Sequence, residues 1–164
     1  MKSIFATILA FFAGAASDAR SQTPTVDGIR KLPEGIRVTH APNPVTAVRN
    51  GRSGRAFTWQ YQTSVSAIDK EITVVEFGCF FERDGKWVFS NYTGKPFTGQ
   101  DFADWYSCPN ARLRSDSRAK DPQNWSGSDQ LRSAKALWYF IGVDADGNRC
   151  RGEAVIEELP QLGA

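Results

Sequence analysis

Histidine and methionine are almost missing from this chain. Its 164 residues include 1 His, 1 Met and 3 Cys. The single His is His40, and the single Met is Met1. One imidazole excludes the two-His, one-Cys set of a blue-copper site. Structural zinc needs four Cys or His ligands at paired short spacings, and Cys79, Cys108 and Cys150 lie far apart. No metal site is expected. Covalent haem is excluded too, because no Cys-x-x-Cys-His is present, and no cofactor is expected. Charge of one sign is also scarce. Twenty Lys and Arg face 18 Asp and Glu, for a formal net charge of +2. A protein built for nucleic acid is more basic than this, so no nucleic-acid partner is expected.

Catalytic signatures are missing as well. No Gly-x-Ser-x-Gly elbow occurs, and Gly94-Lys95 runs into Pro96 instead of the Ser or Thr of a phosphate loop. Asp144, Asp146 and Asn148 suggest a calcium loop. However, Gly147 is fourth and Val155 twelfth, where an EF-hand needs Gly sixth and Glu twelfth. A hairpin turn accounts for these residues better.

One apolar run is present, at the start. Lys2 precedes Ile4 to Ala16, which is almost wholly apolar, and small residues follow at Ala13, Ala15, Ser17, Ala19 and Ser21. The run is shorter than the roughly 20 residues a spanning helix needs. It reads as a secretory signal peptide over 1–21, cut near Ala19 to Ser21. The mature protein is then expected to be secreted or periplasmic, with no membrane span after cleavage. In an oxidising compartment two of Cys79, Cys108 and Cys150 are expected to pair, and three pairings are open.

Residues 22–55 are rich in Pro, Gly, Asn and Arg and read as an extended N-terminal arm. One short strand is expected there, at Ile36 to Thr39. Residues 56–164 read as a single β-rich domain. Phe57, Trp59, Tyr61 and Thr63 alternate with polar residues, the signature of a half-buried strand. Ile72 to Glu82 and Lys86 to Tyr92 flank Asp84-Gly85, a type I′ hairpin signal that pairs Arg83 with Lys86 and Phe81 with Val88. This places Val75, Phe77, Cys79 and Phe81 on one face. Ala134 to Val143 and Arg149 to Leu159 form a second hairpin about Asp146-Gly147, with Val143 facing Cys150. Between the hairpins lies one short helix. Thr98 caps it, Asp101 stands three residues on, and Phe102, Trp105 and Tyr106 follow at helical spacing. Ala111 to Ser133 reads as a long polar loop.

This pattern predicts a mainly β fold, an antiparallel β-sandwich of immunoglobulin-like or similar type with one short helix. Cys79 and Cys150 with Trp87 between them resemble the Cys–Trp–Cys arrangement of immunoglobulin domains. Asn148 stands where such domains place a Tyr, and no family follows from the match.

The aromatics carry the functional expectation. The chain has 5 Trp, 4 Tyr and 11 Phe. Most fit a core, but Phe80, Trp87, Phe89, Trp138 and Phe140 fall off phase. Trp105, Tyr106 and Trp125 lie in or near the polar loop and are the candidate binding residues. The leading expectation is a secreted or periplasmic, non-enzymatic binding or accessory module. Its ligand is an unknown protein, small molecule or glycan. One alternative is a small hydrolase using His40 or a carboxylate pair, either Glu76 with Glu82 or Asp101 with Asp104. The other is a secreted protein directed at a host or neighbouring cell. Arg49, Arg52 and Arg55 form the one basic cluster. Asn91-Tyr92-Thr93 and Asn124-Trp125-Ser126 match the glycosylation pattern.

Overall fold

A computed structural model describes residues 23–51 and 53–163. The expected signal peptide lies outside the described residues. The fold is 55% strand and 11% helix, which makes it mainly β as expected. No helix among the described residues is long and apolar enough to cross a membrane.

The chain opens with a short helix, α1 (Val26–Arg30), capped by the Thr25 hydroxyl, which accepts from the Gly28 amide at 3.1 Å. Two strands follow, β1 (Ile36–Ala41) and β2 (Val45–Arg49). The stretch read as an arm therefore holds its expected strand, extended to Ala41, and adds a helix and a second strand. Proline was the misleading signal. Pro42 and Pro44 fall between β1 and β2, so they turn the chain without removing a ladder hydrogen bond.

Long strands come next. The alternation from Phe57 gives β3 (Phe57–Ala67), with Trp59, Tyr61, Thr63 and Val65 buried. β4 (Ile72–Arg83) turns through Asp84 (φ 50°) and Gly85 (φ 72°) into β5 (Lys86–Phe89). Arg83 pairs with Lys86 and Phe81 with Val88, as the turn signal requires. Phe77 and Cys79 face one core as expected. Val75 does not, and is exposed. The register with the neighbouring strand slips between Val74 and Glu76, a bulge that turns Val75 out. A short strand, β6 (Phe97–Thr98), leads into α2 (Gly99–Trp105). Thr98 and Asp101 form a reciprocal capping box, as their spacing predicts.

The polar stretch after α2 is not a loop. It contains β7 (Arg112–Leu113) and a ten-residue strand, β8 (Ala119–Ser128). β8 pairs only with β3, so it is an edge strand and tolerates Pro122. β9 (Ala134–Val143) and β10 (Arg149–Leu162) complete the fold. Their register differs from expectation. Arg149 pairs with Val143 and Cys150 with Gly142. The cause is the turn. The Asp144 carboxylate accepts from the amides of Asp146 and Asn148, which closes a longer loop than a two-residue Asp-Gly turn. The one-residue slip moves Cys150 to the face of Trp138 and Phe140.

The described strands join one open sheet, in the order β1–β3–β2–β10–β9–β4–β5. β8 adds on β3, and β6 and β7 add on β4. The two facing sheets of a sandwich are not found among the described residues. Instead the single sheet curls. Trp138 on β9 and Tyr61 on β3 are three strands apart, about 14 Å in a flat sheet. The Trp138 indole N–H nevertheless donates to the Tyr61 hydroxyl at 2.8 Å. At one end the Ala67 amide of β3 also reaches the carbonyl of Arg114, just past β7, at 3.3 Å.

Curling gives the sheet two unlike faces. The concave face holds the main core, including Trp59, Phe77, Phe102, Tyr106 and Phe140. Phe77 and Phe140 stack in parallel, 5.6 Å apart. Across the convex face α1 lays Val26 and Ile29 over Phe80, Leu137, Tyr139 and Ile141. Burying each aliphatic side chain of α1 stabilises by roughly 1.5–3 kcal/mol. Arg30 adds an ion pair to Glu153 at 2.8 Å. The off-phase aromatics are thus shared between two cores.

No disulfide forms. Cys79, Cys108 and Cys150 are free and buried. Cys79 pairs with Trp138 and Cys150 with Gly142, four residues apart along β9. That is about 13 Å of strand, beyond the ~7 Å that a disulfide spans between Cα atoms.

Candidate functional site

The curl leaves a cleft of about 1130 Å³ between the β3–β8 wing and the β4–β9 wing. β8 contributes Trp125, the end of α2 contributes Trp105, and the segment after β5 contributes Tyr92. These three rings are exposed by 41%, 36% and 83% respectively, so they present apolar area to a ligand. Trp105 does not swing freely. It packs on Phe97 at 4.6 Å and meets Phe77 edge-on at 5.4 Å. Tyr61 and Trp138 line the inner part, joined by their hydrogen bond.

Arg132 lines the cleft from a fixed seat. Arg132 stands just before β9, with its guanidinium over the rings of Trp59 (4.9 Å) and Phe81 (5.6 Å). Its Nη1 meets the Glu158 carboxylate at 2.7 Å. Glu158 is fully buried and also accepts from the Ser126 hydroxyl. A carboxylate inside a core is stable only when paired, so Glu158 and Arg132 depend on each other.

A polar relay runs behind the β8 wall. Asn124 donates from Nδ2 to the Thr63 hydroxyl at 2.9 Å. Thr63 meets His40 Nδ1 at 3.0 Å, and His40 Nε2 meets the Ala154 carbonyl at 3.3 Å. A carbonyl only accepts, so Nε2 carries the proton and Nδ1 accepts from Thr63. Burial lowers the imidazole pKa to about 4, which keeps it neutral near pH 7. His40 links β1, β3 and β10. It does not line the cleft, and its Nδ1 lone pair faces the Thr63 hydroxyl.

Behind the floor the Tyr106 hydroxyl is buried beside Thr63 without a hydrogen bond of acceptable geometry. Burial pushes its pKa well up, so it stays protonated. Burial also pushes the Cys79 thiol up to about 12. Such a thiol is not a ready nucleophile. An unpartnered buried hydroxyl costs free energy. Tyr106→Phe should therefore be neutral or raise the unfolding free energy by up to about 1 kcal/mol in urea denaturation. A loss of more than that would show that the hydroxyl has a partner.

Two of the three sequence candidates, Trp105 and Trp125, line the cleft. Tyr106 does not. It is 2% exposed and stacks on Phe102 at 4.4 Å. Of the carboxylate pairs only Glu82 lines the cleft. Asp101 caps α2, Asp104 meets Gln100, and Glu76 accepts from the Tyr139 hydroxyl. Arg49 packs over Phe57 and Arg55 pairs with Asp129, while Arg52 lies outside the described residues. Asn91 and Asn124 of the two glycosylation patterns are buried, with their amides bonded to protein. Among the described residues no three His, Cys, Asp or Glu side chains gather to hold a metal.

Sequence reasoning missed Tyr61, Arg132 and Glu158. One signal was available for the last. Ala154, Ile156 and Glu158 share a strand phase, so a charge stands where the pattern calls for an apolar residue. Comparison with protein-family models, with curated proteins and with solved structures returned no match.

Proposed function

We propose that this protein is a non-catalytic binding module whose aromatic cleft takes a small organic ligand. The observation that carries the reading is the convergence of Trp105, Trp125, Tyr92 and Phe97 on one cleft of about 1130 Å³, with exposed rings at its mouth. Ligand sites are concave, mainly apolar, and set with a few placed polar groups. This cleft matches that description through Tyr61, Asn124 and Arg132. His40 does not line the cleft, which speaks against its use as a hydrolytic base there.

Nile red, a neutral dye whose emission rises in apolar sites, tests the reading. Saturable emission at one dye per protein is expected. Trp105→Ala/Trp125→Ala should weaken the dye about tenfold or more while the protein still unfolds cooperatively in urea, at a lower midpoint because Trp105 also packs on Phe97 and Phe77. Unsaturable emission, or equal affinity in the double variant, would overturn it.

A further inference from the structure

The inner part of the cleft presents a hydroxyl proton that meets no acceptor among the described residues. The Tyr61 hydroxyl accepts from Trp138 Nε1, and its own proton meets no acceptor among the described residues. Tyr61 is only 2% exposed and lines the cleft. The Cys79 thiol lines the same floor, and the unpartnered Tyr106 hydroxyl stands behind it. Buried polar groups are normally bonded, so the unmatched Tyr61 proton at the cleft wall marks the seat of an outside acceptor atom.

The charges indicate what kind of acceptor. Glu82, Arg83, Asp121 and Arg132 line the cleft, two of each sign. Arg132 is already matched by buried Glu158. Among the described residues the lining therefore carries no excess of positive charge to hold a carboxylate or phosphate at the floor. Burying an anion without such a field is expensive, whereas a neutral carbonyl or hydroxyl oxygen carries far less desolvation cost.

We infer that the cleft selects a neutral, ring-bearing ligand that seats a carbonyl or hydroxyl oxygen against the Tyr61 hydroxyl while its apolar body packs between Trp105 and Trp125. This inference rests on the binding-module reading and names the ligand class of that site. The volume leaves room for several fused or linked rings.

Three probes of one shape test it by quenching of tryptophan emission: 2-acetonaphthone, 2-ethylnaphthalene and 2-naphthoate. The ketone should bind at least tenfold tighter than the naphthoate anion at pH 7. Tyr61→Phe should weaken the ketone about fivefold or more relative to the hydrocarbon, the size of one lost hydrogen bond. That variant leaves the Trp138 N–H unpaired. If it does not fold, Tyr61→Phe/Trp138→Phe removes both partners of the bond, and the same shift in ratio is expected. A naphthoate that binds as tightly as the ketone, or an unchanged ratio in the folded variant, would overturn the inference and leave the cleft a binding site. Failure of all three probes to bind would overturn the binding-module reading and the inference with it.

Discussion

Arg132→Met should lower the unfolding free energy by about 3–5 kcal/mol, the cost of orphaning a buried charge. The carboxylate left behind is Glu158, fully buried on β10, whose remaining partner is Ser126. The guanidinium also contributes its stacking on Trp59 and Phe81. Most of the cost arises from Glu158 and not from the attraction of the pair itself. Arg132→Met/Glu158→Leu should therefore recover much of the loss. Urea denaturation of the wild type, both single variants and the double variant provides the full cycle. A single-variant loss below about 1 kcal/mol would match a solvated surface pair, and the buried description would be wrong.

Acidification should destabilise the protein before most carboxylates titrate. In the unfolded chain His40 takes up a proton near its ordinary value of 6.5, but in the folded state only near 4. Between those values the unfolded state binds more protons, so stability falls as pH drops from about 6.5 to about 4. The full effect is about 3 kcal/mol. No second His titrates in this window. The urea midpoint should fall steadily from pH 7 to pH 4.5, and His40→Gln should flatten that slope. An equal slope in wild type and variant would mean that His40 stays accessible to water.

Much of the local structure was legible because local chemistry decides it. The Asp84-Gly85 turn set its own register, and Thr98 with Asp101 set the start of α2. What could not be read depended on distant partners. β8 has a polar sequence with a proline and becomes a strand because β3 offers it an edge. Asp144 bonds forward to Asn148, and that single choice shifted a whole hairpin by one residue. For the site, Trp105 and Trp125 were suspect because they lie in or near the long polar stretch. Tyr61 looked like ordinary core, because nothing in its own segment reveals a hydrogen bond to Trp138, three strands away in the sheet.

The order of the strands also governs the order of assembly. The β4–β5 hairpin closes within its own few residues and can form early. The first strands have no such option. His40 bonds Ala154, 114 positions away, and Arg30 pairs with Glu153, 123 positions away. Such contacts must be found by diffusion after long stretches of chain have been restrained, which slows folding in sheet proteins. Until β10 joins the two halves, the concave wall is incomplete and its aromatic rings face water. The nascent form is thus the sticky form of this molecule, most exposed to self-association during the interval before the halves meet.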